Sequence, residues 1–287
     1  MRCFLVCDID KTLMPFRHET AMYGLRAYLE SQSVYSAQKA SRIKDFVNSC
    51  YENFSSRARG DPHDQKLVQH IEEMSLCVEN HGDADIYWSR ELWIYAASTF
   101  AGQYVPARVA IEAAEAYWRM IEQHARPYAD VREFFDSEWW NQKPHWELVL
   151  VTSSDGRLRL TEDQNRLRYD PAYSLDKKSE RIPAALKQWS LPNGIFVGDP
   201  VGKPDPEFWK IVTNNIFYDP KEDIAVMIGD SAIADLTNLP EGFVPILVDR
   251  SEEKRGGEPK EARIIIHSFD SLPMILENLE SQAKKGG

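Results

Sequence analysis

Two aspartates one residue apart close the first apolar run of the chain, in Phe4-Leu5-Val6-Cys7-Asp8-Ile9-Asp10-Lys11-Thr12-Leu13. Two carboxylates about 4 Å apart repel by roughly 4 kcal/mol at an effective dielectric near 20. A bound cation would remove that cost and give the pair a use. Alone, Asp-x-Asp also fits an acidic turn or a helix cap. Three later stretches change the weighting. The run 148–151 ends in Thr152, Lys203 sits in Gly202-Lys203-Pro204-Asp205-Pro206, and the run 224–228 leads into Gly229-Asp230-Ser231 and then Asp235.

The elements that must position these residues follow from periodicity. The run from Cys3 to Cys7 is short and apolar on both alternating faces, which predicts a strand buried on both sides, as in a parallel sheet. Its carboxylates then lie at the C-terminal end, where open α/β sheets place their ligands. Strands are expected also at 146–151, 195–197, 224–228 and 243–248, with an edge strand near 262–267. Helices are expected at 179–189, from Pro204 to about Phe217, and at 268–282. This alternation predicts a doubly wound parallel sheet, a Rossmann-like α/β core. Between the first strand and the second, the sequence is helical throughout. Leu67, Ile71, Met74 and Val78 recur at helical spacing, as do Ile111, Ala114, Trp118 and Ile121. The expected organisation is therefore core residues 1–16, an inserted all-helical cap at 17–126, and core residues 127–287. The charged, Gly-containing stretch 250–261 is expected as a surface loop.

Composition bounds the class. The chain has 287 residues, 43% hydrophobic and 28% charged, with a net charge of −11. A packed core is within reach, and general binding to nucleic acid or anionic membranes is disfavoured. No apolar run has the length of a membrane span. The first run leads straight into Asp8 and lacks a small-residue cleavage site, so it is expected as a strand and not as a signal peptide. Cys3, Cys7, Cys50 and Cys77 show no metal-site spacing and fit reduced thiols in a cytoplasmic protein.

Taken in order, the four stretches resemble the four motifs of the haloacid dehalogenase-like hydrolase superfamily. That signature is Asp-x-Asp-x-Thr, a strand-terminal Thr or Ser, a Lys before Pro, and Gly-Asp with a further Asp. Ser153-Ser154-Asp155-Gly156-Arg157-Leu158 and Lys203-Pro204-Asp205-Pro206 are closest to the helical-cap subgroup that resembles phosphoglycolate phosphatase. The resemblance implies a phosphatase acting on a small phosphorylated metabolite through an aspartyl-phosphate, with Mg2+. It makes Asp8 the nucleophile and Asp10 the general acid/base, a role that needs a raised pKa. Asp8, the Asp10 carbonyl and Asp230 would hold the metal, with Asp235 in support. Thr152, Ser153 and Lys203 would meet the phosphate. Three departures stand out: Lys11 where Gly is usual, Ser153 where Asn is common, and a long interval between Thr152 and Lys203 with extra polar sequence at 161–179. A phosphomutase, a dehalogenase-type hydrolase or a non-catalytic binding protein on the same fold are the competing readings. Oligomeric state is not legible.

Overall fold

The computed structural model describes residues 1–58, 60–82, 86–100, 104–250 and 264–286. The chain opens with β1 (Cys3–Asp8). It then runs through α1 (His18–Ser31), α2 (Ala37–Ala58), α3 (Gln65–Ser75), α4 (Arg90–Phe100) and α5 (Ala107–Gln123) before α6 (Ala129–Phe135) and the short α7 (Glu138–Asn141). Next come β2 (Trp146–Ser153), the hairpin β3 (Leu158–Leu160) and β4 (Leu167–Tyr169), α8 (Pro171–Glu180) and α9 (Ala184–Trp189). The remainder alternates: β5 (Ser190–Gly198), α10 (Pro206–Ile216), β6 (Ile224–Gly229), α11 (Ala232–Leu236), β7 (Phe243–Val248), β8 (Ile264–Ile266) and α12 (Leu272–Gly286).

Among the described residues, six strands form one parallel sheet in the order β5-β2-β1-β6-β7-β8. The expected α/β, doubly wound core is therefore present. Alternation along β1 divides its side chains between two apolar layers. Cys3, Leu5 and Cys7 pack with Val131, Phe134, Leu272 and Leu276 on one face. Phe4 and Val6 pack with Phe208, Val212 and Leu236 on the other. Burying both faces fixes the register, because a one-residue slip would swap every side chain between layers.

Helices α1 to α5 gather around a third apolar cluster, distinct from the two that flank the sheet. Leu158, Leu167 and Tyr169 of the β3–β4 hairpin join that cluster. The polar stretch after Thr152 is thus an addition to the helical insert, which is not helical alone. The helix expected at 179–189 is two helices, because Pro183 cannot continue the first. Asp170 starts α8 early: its side chain accepts from the Tyr173 N–H, with Pro171 at the first helical position. The loop expected at 250–261 lies outside the described residues apart from Arg250. Residues 262 and 263 of the expected edge strand do so too.

Candidate active site

The parallel register aligns the ends of the three central strands. Asp8 lies opposite Val151, one residue before Thr152, and Cys7 lies opposite Ile228, one before Gly229. Asp8, Thr152 and Asp230 therefore emerge at one edge of the sheet. Lys203 reaches them from the loop between β5 and α10. Its ammonium donates to Asp8 Oδ1 at 2.6 Å and to Asp235 Oδ1 at 2.7 Å, and all three side chains are buried. The other Asp235 oxygen accepts the Ser231 N–H at 2.9 Å, so Asp235 is held on both sides. Gly229 makes this possible: a Cβ there would run into the Asp235 carboxylate. Thr12 donates its hydroxyl to Asp8 Oδ2 at 3.2 Å.

Ligand oxygens of Asp8, Asp230 and Asp235 lie within 4.8 Å of one another. Among the described residues, the Asp230 carboxylate makes no hydrogen bond or ion pair. Burial pushes the Asp8 carboxyl up to about 6 despite Lys203, with Asp235 adding to the rise. Burial and the Asp235 and Asp8 carboxylates push Asp230 up to about 8. Three carboxylates thus face one ammonium, and the two charges left over are what a divalent cation would balance. The donor set, all oxygen with one carboxylate unpartnered, fits Mg2+.

Asp10 departs from expectation. It was expected to have a raised pKa from neighbouring carboxylates. Burial would raise it, but Arg181 and Lys178 outweigh burial and hold the carboxyl well below its usual range. Arg181 Nη1 donates to Oδ1 at 2.9 Å and Lys178 Nζ to Oδ2 at 2.8 Å. Both cations also bind Asp155, Lys178 at 2.9 Å and Arg181 Nε at 2.7 Å. Lys178, Arg181 and Asp155 were not singled out as site residues. Asp155 stands in the stretch that carries the resemblance, but nothing in the sequence pairs it with Asp10. Lys178 falls in the extra polar sequence at 161–179 and Arg181 in the helix expected at 179–189, and neither reading points to Asp10.

The remaining expected residues fall where the strands put them. The Thr152 hydroxyl is buried and, among the described residues, makes one long 3.5 Å contact with the Ser153 carbonyl. Ser153 is exposed at the end of β2. Lys11 has φ 65°, a left-handed conformation that suits glycine better. Its ammonium lies 5.5 Å from the Tyr51 ring of α2.

Solved structures share this arrangement of sheet and insert. The YfnB protein of Bacillus subtilis, determined bound to magnesium, superposes with a TM-score of 0.56 at 16% identity, over 96% of this chain and 98% of that one. A haloacid dehalogenase-like family hydrolase from Xanthomonas campestris gives 0.53 at 18%, over 99% and 98%. An L-2-haloacid dehalogenase from Xanthobacter autotrophicus gives 0.52 at 14%, over 97% and 100%. The chain has the haloacid dehalogenase-like fold. No protein-family model matches it, and no curated protein matches it significantly by sequence.

Within this haloacid dehalogenase-like fold, the insert and core meet across a buried ion pair. Arg157, just after β2, donates through Nε to Glu91 of α4 at 2.7 Å and through Nη2 to Glu115 of α5. Gly156, at φ 59°, lets the chain pass close under the Ile86 backbone of the insert. No helix among the described residues is long and apolar enough to cross a membrane.

Proposed function

We propose that the protein is a Mg2+-dependent phosphatase of the haloacid dehalogenase-like superfamily, hydrolysing a small phosphorylated metabolite in two steps through Asp8. The observation that carries this reading is the carboxylate trio of Asp8, Asp230 and Asp235, of which Asp8 and Asp235 are bound to one buried lysine and Asp230 is left unpartnered among the described residues. Magnesium, when present, would be held by Asp8, Asp230 and the Asp10 carbonyl and would offset phosphate charge. Asp8 Oδ would attack phosphorus as the ester P–O bond breaks, forming an aspartyl-phosphate and releasing the alcohol. Lys203 stands against the attacking carboxylate, where it would balance charge on the transferring phosphoryl group. Asp235 positions Lys203. Thr152, with its hydroxyl largely uncommitted, would bond a phosphoryl oxygen, and Ser153 lies next to it.

In the second step water attacks the aspartyl-phosphate and must lose a proton. Asp10, held ionised by Lys178 and Arg181, suits that acceptor role. To protonate the leaving oxygen in the first step, Asp10 would have to give up one of these cations and take up a proton from solvent, passing it to the alcohol and becoming the carboxylate that accepts the proton of water in the second step. The dehalogenase among the structural neighbours marks the competing outcome. The test is phosphate release from a panel of phosphate monoesters with Mg2+ and with chelator, beside halide release from 2-chloropropionate. Metal-dependent phosphate release that disappears in Asp8→Asn is the expected result. Halide release without phosphate release would replace this reading with the dehalogenase one.

A further inference from the structure

Thr152 and Lys203 stand on two different loops, and one carboxylate ties those loops together. Strand β2 leaves the sheet through Thr152 and Ser153, and β5 leaves it through Gly198, the residue opposite Ser153. The next residues on the two chains meet: Ser154 donates its hydroxyl to Asp199 Oδ2 at 2.5 Å. The other Asp199 oxygen accepts the hydroxyl of Tyr169, a buried residue of the β3–β4 hairpin. Asp199 is half-buried, and among the described residues no cation pairs with it. Burial, with the Asp155 carboxylate adding to it, pushes the Asp199 carboxyl up to about 6 although the Ser154 hydroxyl favours the anion. A carboxylate so placed loses hydration that two hydroxyls replace only in part. What it supplies in return is a fixed geometry.

Asp199 and Lys203 share one compact loop. A Cβ on Gly198 would lie 2.4 Å from Gly202 Cα, so the chain returns on itself between these two glycines and Lys203 follows at once. On the other side, the course of the loop after β2 is fixed by Ser154. Its oxygen accepts the Gly156 N–H at 2.9 Å and lies 3.2 Å from Ser174 Oγ of α8, which accepts the Arg157 N–H at 3.1 Å. Tyr169 is itself anchored in the insert: its N–H donates to the Glu79 carbonyl at 2.9 Å, and its ring belongs to the apolar cluster of the insert. Asp199 thus joins the Thr152 loop, the Lys203 loop and the hairpin.

We propose that Asp199, gripped by Ser154 and Tyr169, sets the spacing between Thr152 and Lys203 and so aligns the two groups that meet the transferring phosphoryl from opposite loops. This rests on the phosphatase reading. Asp199 is a positioning residue and touches no reacting atom. Tyr169 lies in the long interval between Thr152 and Lys203, so the extra sequence there shapes the phosphoryl site as well as the insert. A misplacement of catalytic groups by about 1 Å can cost about a hundredfold in rate. Removing Asp199 releases one tie among several, so a loss of about tenfold is expected.

The test measures kcat and KM of the full-length protein with Mg2+ and the fastest phosphate monoester of the panel, at a temperature where circular dichroism shows every variant folded. Asp199→Ala should lower kcat about tenfold and move KM less, because alignment acts on the transition state. Asp199→Asn, whose amide accepts from one hydroxyl and donates to the other, should keep most of the rate. The deciding measurement repeats Asp199→Ala in a Thr152→Ala background. With one member of the aligned pair gone, the loss should shrink to about threefold or less, since residues that act through one another are not additive. The same loss in both backgrounds, or a parent-like kcat in Asp199→Ala, would overturn the proposal. Tyr169→Phe, which keeps its ring in the apolar cluster, serves where Asp199→Ala does not fold: its kcat should fall in the parent and not in the Thr152→Ala background, and an unchanged kcat in the parent overturns the proposal equally. Failure of the phosphatase reading looks different: the unsubstituted protein releases no phosphate from any ester, and the alignment, having no phosphoryl group to serve, falls with it.

Discussion

Replacing Arg157 with Met removes the cation that joins insert to core. Glu91 is 0% exposed and its acid is pushed up by burial, with Arg157 as the main influence drawing it back down. Glu115 is 37% exposed, so its half of the bridge contributes no more than about 1 kcal/mol. The loss is therefore set by Glu91, which is left buried with Ser89 Oγ, at 2.9 Å, as its remaining side-chain partner. Breaking one side of a buried pair costs about 3–5 kcal/mol. For a chain of this size that corresponds to a fall in melting temperature of about 6–20 °C. Urea and thermal unfolding measure it directly. The double variant Arg157→Met/Glu91→Gln removes the stranded charge and should recover about half of the loss. A single variant within about 1 kcal/mol of the parent, or a double variant no better than the single, would refute the assignment of this pair as the joint.

Asp8→Asn should abolish turnover yet keep the melting temperature within a few degrees, because Lys203 retains Asp235; phosphate release above a few per cent of the parent rate would remove Asp8 as nucleophile. Without metal, stability should fall as pH rises from about 4 to 8. The raised carboxyls Asp8 and Asp230 keep protons in the folded state that the unfolded chain has released, so their favourable share is present below about 4 and is lost through about 6 and 8. Mg2+ takes the place of those protons, so the slope should flatten with metal, and about a hundredfold excess over the dissociation constant should add about 2.7 kcal/mol. Melting curves that coincide in chelator and in millimolar Mg2+ at pH 8 would count against the carboxylate trio as the metal site. Arg181→Met should destabilise by about 3–5 kcal/mol at pH 7. Its partners Asp10 and Asp155 have depressed pKa values, so their stabilisation is fully present above about 4 and is lost progressively as pH falls from there through their depressed folded-state values; the gap between variant and parent should narrow in acid, as paired melts at pH 7 and pH 3 would show.

The sheet was legible because its strands are buried on both faces, and such runs announce themselves by composition without needing long-range information. The same runs end in Asp8, Thr152 and Asp230, so the positions of these residues followed from the strands. Lys203 was legible through its setting between Gly202 and Pro204. Arg157–Glu91 and Asp10–Arg181 were not, since each joins residues 66 and 171 positions apart, and no periodicity links an arginine to the carboxylate it will meet. The raised pKa expected of Asp10 failed for that reason: the neighbouring carboxylates could be read from the motif, but the two cations arrive from elsewhere.

The long interval between Thr152 and Lys203 is where the chain departs most from the pattern it resembles, and the structure gives that length two uses. Leu158, Leu167 and Tyr169 extend the apolar cluster of the helical insert, while Ser154 and Tyr169 both donate to Asp199 at the core end of β5. The hairpin is thereby tied to both bodies. Helix α8 then follows from its Asp170-Pro171 start, and its geometry decides the rest. Three to four residues make one turn, so Lys178, in its last turn, and Arg181, just beyond it, lie on the same side and reach the same two carboxylates. Asp10 is thus held by a segment that also grips the insert. A displacement of the insert would be transmitted through the hairpin and α8 to Asp10, a carboxylate that Arg181 and Lys178 hold ionised.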